Sequence, residues 1–414
     1  MTGDTRDFLR AFTRIGLLSF GGPAAQIAVM HRELVEERDW LTEQQFLNAL
    51  SFCMLLPGPE AMQLTTYAGW RLRGVPGGLI AGLLFVIPGA LVMLLLAGLY
   101  AWLGAVPLAN ALFLGIKATV VVIVLEALLK VSKKALKGTD RWIIAALSFI
   151  AIFAFAAPFP LIIATAALYG ALKGGTATTA PPLGRANTLR TVAIWAALWW
   201  TPIAILWASG QETLTQIGLF FSKLAIVTFG GAYAVLAYMT QEVVQDQGWL
   251  STAQMMDGLG LAETTPGPLI LVTEFVGYLA GYGAGGVPLA IAAAVLTVWV
   301  TFVPCFLWIF AGAPYIEWIS TRPRLTGALQ AITAAVVGVI LNLSIWFAMH
   351  VFFGEISTTP VGPAQLLTPD IATLDTRALG LGILAAVLLL WRKWGLVQVL
   401  VLCAALGVAL SNIG

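Results

Sequence analysis

Long apolar segments separated by short polar stretches alternate along the whole chain. Uncharged apolar runs at 75–103, 192–208 and 287–316 recur far apart in the sequence. A helix needs about 20 apolar residues to cross the hydrocarbon core of a bilayer, so each of these runs is close to that length or longer. The pattern predicts an all-α polytopic membrane protein.

Each half of the chain divides into six hydrophobic segments. Those of the first half are 8–36, 45–72, 77–103, 107–130, 142–157 and 161–172, and those of the second are 213–245, 252–281, 287–316, 324–350, 377–391 and 395–410. One more segment, 191–208, follows a stretch rich in Gly, Thr and Pro that is typical of a linker. We therefore expect an N-terminal repeat at 1–172, a linker with a connecting transmembrane helix at 173–212, and a C-terminal repeat at 213–414.

The two halves repeat the same motifs without a gap. The motifs Phe20-Gly21-Gly22, Trp40-Leu41 and Pro57-Gly58-Pro59 return as Phe229-Gly230-Gly231, Trp249-Leu250 and Pro266-Gly267-Pro268, each 209 residues later. Paired halves with broken hydrophobic segments at matching places are typical of secondary transporters.

The connecting segment predicts that the halves are inverted. If each six-segment half ends on the side where it began, one added crossing turns the second half over. With the N-terminus in the cytoplasm and the C-terminus outside, only Arg32, Arg38 and Arg377 of the loop cations fall outside, as the positive-inside rule requires. The first two segments of each half can cross as broken helices or re-enter as hairpins. The hairpin version fits the charges slightly better.

Composition excludes several classes of function. The chain is 59% apolar and 10% charged, with a net charge of +2, so no nucleic-acid partner is expected. Cys53, Cys305 and Cys403 lie far apart in apolar segments, and His31 and His350 are isolated. No cofactor, metal site or catalytic motif is indicated, and we do not expect an enzyme.

Pro-Gly-Pro predicts a break between two helices. Proline has no amide hydrogen and disfavours helix in the residue before it, so Pro57 ends one helix and Pro59 can start the next. Amides at a helix N-terminus carry partial positive charge that suits an anion. A kink without a ligand is the alternative. The backbone candidates for anion binding are Gly21, Gly22, Pro23, Pro57, Gly58, Pro59, Gly230, Gly231, Thr265, Pro266, Gly267 and Pro268.

Charged residues within apolar segments supply further candidates. Arg14 and Lys223 each precede the repeated Phe-Gly-Gly by six residues, and Lys117 lies in the fourth segment. Such cations can balance a bound dianion, although Arg14 can also reach the membrane interface. The candidate proton carriers are Glu60, Glu126, Glu263 and Glu274, each of which can instead be a polar contact at a helix end. Glu60 is the first choice because it adjoins the predicted helix start.

These motifs resemble the chromate ion transporter family in its long, two-domain form. The matching pattern is Phe-Gly-Gly-Pro, a Met and a Glu, Trp-Leu, and Pro-Gly-Pro followed by Tyr67 and Gly69. The second half departs from it with Ala232 in place of the proline at Pro23, and with Leu269 where the first half has Glu60.

The resemblance implies export of chromate across the inner membrane of a bacterium, driven by the proton gradient and conferring chromate resistance. The implied partners are chromate or a related oxyanion, the lipid bilayer and protons, and a homodimer is left open as the assembly. Sulfate has the same shape and charge as chromate, so a transporter of sulfate or another oxyanion with this architecture remains the alternative.

Overall fold

The computed structural model describes residues 4–20, 22–103, 107–174, 188–229, 232–316, 322–361 and 364–411. Within these ranges, five helices are long and apolar enough to cross a membrane, namely Glu60–Leu103, Ala111–Ala135, Thr188–Ala208, Leu269–Tyr315 and Pro323–Phe352. Shorter apolar helices follow at Phe159–Lys173, Thr376–Trp391 and Leu396–Ser411. The protein is therefore a predominantly α-helical, multi-pass membrane protein, as the hydrophobic pattern predicts.

The helices are labelled here in chain order. They are α1 (Thr5–Leu18), α2 (Pro23–His31), α3 (Glu43–Cys53), α4 (Glu60–Leu103), α5 (Pro107–Ala135), α6 (Thr139–Phe155), α7 (Phe159–Lys173), α8 (Thr188–Ala208), α9 (Glu212–Val227), α10 (Ala232–Thr240), α11 (Thr252–Thr264), α12 (Val272–Gly312), α13 (Pro323–Phe352), α14 (Thr376–Ala386) and α15 (Leu396–Ser411). Short π-helical turns extend α2 at Arg32–Glu36, α10 at Gln241–Asp246 and α14 at Val387–Trp391.

The chain forms two compact units, and each unit takes segments from both halves. The first contains Met1–Ala101, Thr176–Val235 and Leu261–Pro323, and the second contains Trp102–Gly175, Leu236–Gly260 and Arg324–Gly414. These units do not follow the boundaries of the sequence repeats. Local repetition along a chain reveals its homologous segments, whereas packing depends on which segments meet in space.

The repeat is visible in how the helices begin. The Thr42 hydroxyl accepts from the Gln45 amide at 3.3 Å, and the Gln45 side chain accepts from the Thr42 amide at 3.1 Å. Ser251 and Gln254 make the same pair of bonds at the start of α11, at 3.2 and 2.8 Å. This reciprocal capping box satisfies two amides that a helix start would otherwise leave open.

The two longest helices among the described residues, α4 and α12, reverse direction at a glycine. In α4 the break lies at Arg73 and Gly74, where Gly74 has φ +64°, and in α12 it lies at Gly285 and Gly286, where Gly286 has φ +73°. After the first break the chain folds back, since Gly69 packs directly on the backbone carbonyl of Gly77. Residues eight apart in one continuous helix would be about 12 Å apart, so each long helix is a hairpin with two arms.

Small residues let helices approach closely in the second unit. Gly115 of α5 lies against the carbonyl of Cys403 in α15, and Gly338 of α13 lies against the carbonyl of Ala145 in α6. Contacts of this kind are common between helices in membranes, where close packing replaces the hydrophobic driving force.

The second unit also contains a short β-hairpin, which the apolar pattern does not predict. Strand β1 (Ile356–Val361) pairs antiparallel with β2 (Ala364–Pro369), with Ser357 opposite Thr368. The Ser357 and Thr368 hydroxyls lie 2.9 Å apart. Cross-strand hydroxyl pairs of this kind stabilise a hairpin locally. The description as all-α therefore holds for the apolar segments but not for this polar connection.

Candidate anion site

The first and ninth helices end in the same way, just before the repeated Phe-Gly-Gly motifs. The Ser19 hydroxyl donates to the Ile15 carbonyl at 2.6 Å, and the Thr228 hydroxyl donates to the Leu224 carbonyl at 2.6 Å. Both hydroxyls are thus turned back onto their own helices. The backbone carbonyls of Ser19 and Thr228 remain available to other partners.

Those two carbonyls bind the Pro-Gly-Pro turn of the opposite half. The Gly58 amide donates to the Thr228 carbonyl at 2.8 Å, and the Gly267 amide donates to the Ser19 carbonyl at 2.8 Å. Both glycines have positive φ, +118° and +87°, which a side chain would disfavour. We call this pair of reciprocal bonds the crossover. All of its residues belong to the first unit.

New helices begin beside the crossover. Gly22 caps α2, whose first residue is Pro23, and α4 begins at Glu60 directly after Pro59. In the second half a 3₁₀ turn, Leu269–Leu271, follows Pro268 before α12 begins. Amides at such starts carry partial positive charge, so the crossover has the backbone chemistry of an anion site. The candidates Gly21, Gly230 and Gly231 lie outside the described residues.

Two buried glutamines support the Pro-Gly-Pro turns. The Gln26 side chain donates to the Gly267 carbonyl at 2.7 Å, and the Gln63 side chain donates to the Pro57 carbonyl at 2.6 Å. Both side chains are almost fully buried. Neither glutamine was predicted from the sequence. The feature that could have identified them is an uncharged amide side chain close to a predicted helix start, in an otherwise apolar stretch.

The candidate carboxylates of the first unit differ in their surroundings. Glu60 is half-buried in the first turn of α4. Glu263 is buried and accepts from the Tyr233 hydroxyl at 2.9 Å, whereas one oxygen of the buried Glu274 has no hydrogen-bond partner among the described residues. Tyr233 is a further residue that sequence reasoning missed.

The cation predicted before the first Phe-Gly-Gly motif already has acidic partners. Arg14 lies 3.0 Å from Glu33 and 3.2 Å from Glu37. Glu33 is fully buried and also binds Arg38 at 2.6 Å. These contacts fix the π-helical turn after α2. Lys223, the counterpart of Arg14, is exposed on α9.

Two candidates belong to the second unit and have partners there. Lys117 of α5 lies 3.1 Å from the carboxylate of Asp257 on α11, with both side chains largely buried. Glu126 is paired with Lys130 one turn along the same helix, at 2.7 Å. Asp257 was not predicted from the sequence. Across the described residues, no group of His, Cys, Asp and Glu side chains is arranged to hold a metal ion.

Comparison with known proteins identifies the relatives of this chain. A family model described as Chromate transporter matches residues 6–171 and again 215–408, once in each half. The chain is 33% identical to a chromate transport protein of Pseudomonas aeruginosa over 335 residues, covering 80% of this chain and 77% of that protein. It is 31% identical to a chromate transport protein of Cupriavidus metallidurans, covering 83% and 82% of the two chains.

A shorter relative corresponds to a single repeat. The uncharacterized transporter YwrA of Bacillus subtilis is 31% identical over 165 residues, which are 39% of this chain but 93% of that protein. No solved structure matches the chain.

Proposed function

The chain belongs to the chromate transporter family, and from that premise we propose that it exports chromate across the inner membrane of a bacterium as a proton-coupled secondary transporter. The observation that carries the proposal is the crossover, where each Pro-Gly-Pro turn is bound by a carbonyl of the other half. Helix starts beside it offer amide groups to a tetrahedral dianion. The activity would confer chromate resistance on the cell.

The proposed arrangement in the membrane is inverted. The N-terminus lies in the cytoplasm and the C-terminus outside, so that each half presents its Pro-Gly-Pro turn from the opposite side of the bilayer. A family model that matches each half separately supports homologous repeats, and the distribution of Lys and Arg supports the orientation. Labelling of single cysteines placed at the two termini in intact cells tests it, and labelling of both termini from the same side contradicts it.

The electrical driving force favours export. Moving two negative charges outward across about 100 mV releases about 4.6 kcal/mol, from about 2.3 kcal/mol per charge. Exchange for protons adds the pH gradient to that force. We assign the coupling proton to Glu60, because its carboxylate lies in the first turn of α4, beside the helix start that is proposed to bind the anion.

Uptake of radiolabelled chromate into everted membrane vesicles tests the function. Vesicles that contain the protein should accumulate chromate faster than vesicles from cells without it, and imposed potential and pH gradients should each increase the rate. Unlabelled sulfate in excess tests selectivity, and complete competition would widen the substrate to oxyanions of this shape. A variant with both Gly58→Val and Gly267→Val, checked for its amount in the membrane, is the inactive control. Accumulation no faster than in protein-free vesicles contradicts the proposal.

A further inference from the structure

The second unit contains a buried ion pair that the crossover does not involve. The Lys117 ammonium lies 3.1 Å from the Asp257 carboxylate, and the two side chains are 20% and 6% exposed. Lys117 lies within Ala111–Ala135, one of the helices long and apolar enough to span a membrane. Ionisable groups in such segments are costly to bury and by default indicate a functional site.

The local packing holds the two helices together at this pair. Gly260, one helical turn from Asp257, packs directly against the side chain of Ile116, the neighbour of Lys117. Any side chain at position 260 would collide with Ile116. The close approach at Gly260 thus brings the carboxylate within reach of the ammonium.

The corresponding helix of the first half has no such charge. Asp257 corresponds to Asn48 and Gly260 to Ser51, at the same offset of 209 residues. Asn48 and Ser51 are exposed on α3, whereas Asp257 and Gly260 are buried. The first-half helix thus has a neutral, exposed residue at the position where the second-half helix has a buried carboxylate. Buried ion pairs are also weak contributors to stability compared with apolar contacts.

We propose that Lys117 and Asp257 form a proton-controlled anion site, in which protonation of Asp257 releases Lys117 to bind the oxyanion. A proton from water adds to the carboxylate and removes its charge. The ammonium then lacks a counter-ion in a largely buried position, and a dianion supplies one. Proton and anion then bind together, so the proton controls when this site accepts the anion. The inference rests on the proposed function and adds to it a site whose affinity for the anion depends on pH.

The other titratable side chains on the neighbouring helices do not belong to the Lys117–Asp257 ion pair. The remaining ionisable side chains of α5 and α11, and those of α14 and α15 that pack against α5, are Glu126, Lys130, Lys133, Lys134, Glu263, Arg377 and Cys403. Glu126 is engaged by Lys130. The salt bridge to Lys117 is thus the contact whose loss on protonation changes the charge of this site.

Binding of chromate to the purified protein, measured by calorimetry, tests the inference. The titrations run on the alkaline side of neutrality, where chromate itself is a dianion. If one proton binds with each anion, the affinity of the parent falls about tenfold per pH unit. Asp257→Asn should bind chromate more tightly than the parent at alkaline pH and lose this slope, because Lys117 is then permanently released.

Two further variants complete the design. Lys117→Gln should weaken binding about tenfold or more, the usual cost of losing a charged hydrogen bond. The combined variant Lys117→Gln/Asp257→Asn carries no charge at these two positions, so it should fold and yet show neither the added affinity nor the slope. Asp140→Asn, which breaks the exposed pair with Lys173 at 2.9 Å, is the matched control and should keep the slope.

The outcomes separate this inference from the proposed function. Asp257→Asn that binds no more tightly than the parent and keeps the parental slope overturns the proton-controlled site, even if chromate transport proceeds. A parent protein that neither binds nor transports chromate overturns the proposed function itself. Lys117→Gln that retains full affinity and slope also overturns the site.

Discussion

The two Pro-Gly-Pro regions share a backbone but differ in their side chains. At both, a glycine with positive φ donates its amide to the residue before the other half's Phe-Gly-Gly motif. At the first, α4 begins at once with Glu60, whereas at the second the turn Leu269–Leu271 delays the start of α12. The comparison teaches that the repeat preserves the hydrogen-bonded frame, while each half is free to specialise its chemistry.

Glutamine support also differs between the two regions. Gln26 reaches from the first half to the second turn, and its counterpart in the second half is Val235, which has no amide to donate. Asn48 and Asp257 are a second unequal pair. An anion that meets both regions would therefore encounter different polar groups.

The largest loss of stability is expected where the second Pro-Gly-Pro turn packs against α4. Gly89 packs directly on the carbonyl of Pro266, so any side chain there collides with backbone. Gly89→Ala should destabilise the protein by about 3 kcal/mol, because neither backbone can move aside. Thermal unfolding of the detergent-solubilised protein measures this loss of stability.

The control for Gly89→Ala is a glycine of the same helix that has space for a methyl group. Gly98 has only the Tyr278 side chain nearby, with the tyrosine oxygen 3.4 Å from where a new methyl carbon would lie. Gly98→Ala should change stability by less than about 1 kcal/mol, in the stabilising direction expected for alanine in a helix. Equal losses in the two variants would show that the close approach at Gly89 is not special.

The unequal glutamines predict the next largest effect. Gln26→Leu leaves the Gly267 carbonyl without its buried donor, which costs about 1–3 kcal/mol. The variant should have a lower free energy of unfolding. It should also take up chromate more slowly, since the second Pro-Gly-Pro turn is no longer held in place by this hydrogen bond. Gln44→Leu, which removes an exposed bond to Asn48, is the matched control. If both variants behave as the parent does, the glutamine does not support the second turn.

The apolar pattern was sufficient for the class of fold, because burial in lipid imposes long uncharged helices whatever their neighbours are. It also predicts a break at each Pro-Gly-Pro motif, since proline acts locally on its own chain. The crossover could not be predicted, because the bond from Gly58 to Thr228 joins residues 170 positions apart, and nothing in the local sequence specifies which carbonyl a turn will meet.

The ion-pair partners of the buried charges could not be predicted from the sequence either. The sequence marks Lys117 as a cation that is costly to bury, but the carboxylate paired with it, that of Asp257, lies on a helix from the other half. Arg14 shows the converse, because its partner Glu33 is recognisable as a repeated residue yet its burial is not. The pairing of charged side chains depends on how segments distant in the sequence pack together.

Glu60 offers a sharper test of the difference between the two helix starts. A pH gradient of one unit contributes about 1.4 kcal/mol per exchanged proton, which corresponds to about a tenfold change in accumulation. Glu60→Gln should lose this part of the response in everted vesicles while keeping the response to membrane potential. Glu212→Gln, an exposed carboxylate at the start of α9, is the control. A parental response to the pH gradient in Glu60→Gln excludes Glu60 as the coupling residue.

The smallest predicted effect concerns pH and only the first half. His31 lies 2.6 Å from Glu43 and 3.1 Å from Glu36, and its counterpart in the second half is Thr240. The hydrogen bond to Glu43 is the largest cause that raises the pKa of His31 above its ordinary value of 6.5. Because the folded state holds the proton more tightly, the pair stabilises the protein fully below pH 6.5, and this contribution is lost as the pH rises through the raised pKa.

The expected change is modest, since both glutamates are well exposed and water screens the pair. His31→Gln should therefore remove a small decrease in melting temperature that the parent shows as pH rises above neutrality. Glu43→Gln should remove most of the same decrease, because it deletes the main partner while keeping the imidazole. Thr240→Val, at the matching position of the second half, should leave the parental profile intact. If His31→Gln shows the same decrease as the parent, a group other than this histidine gives the protein its pH dependence.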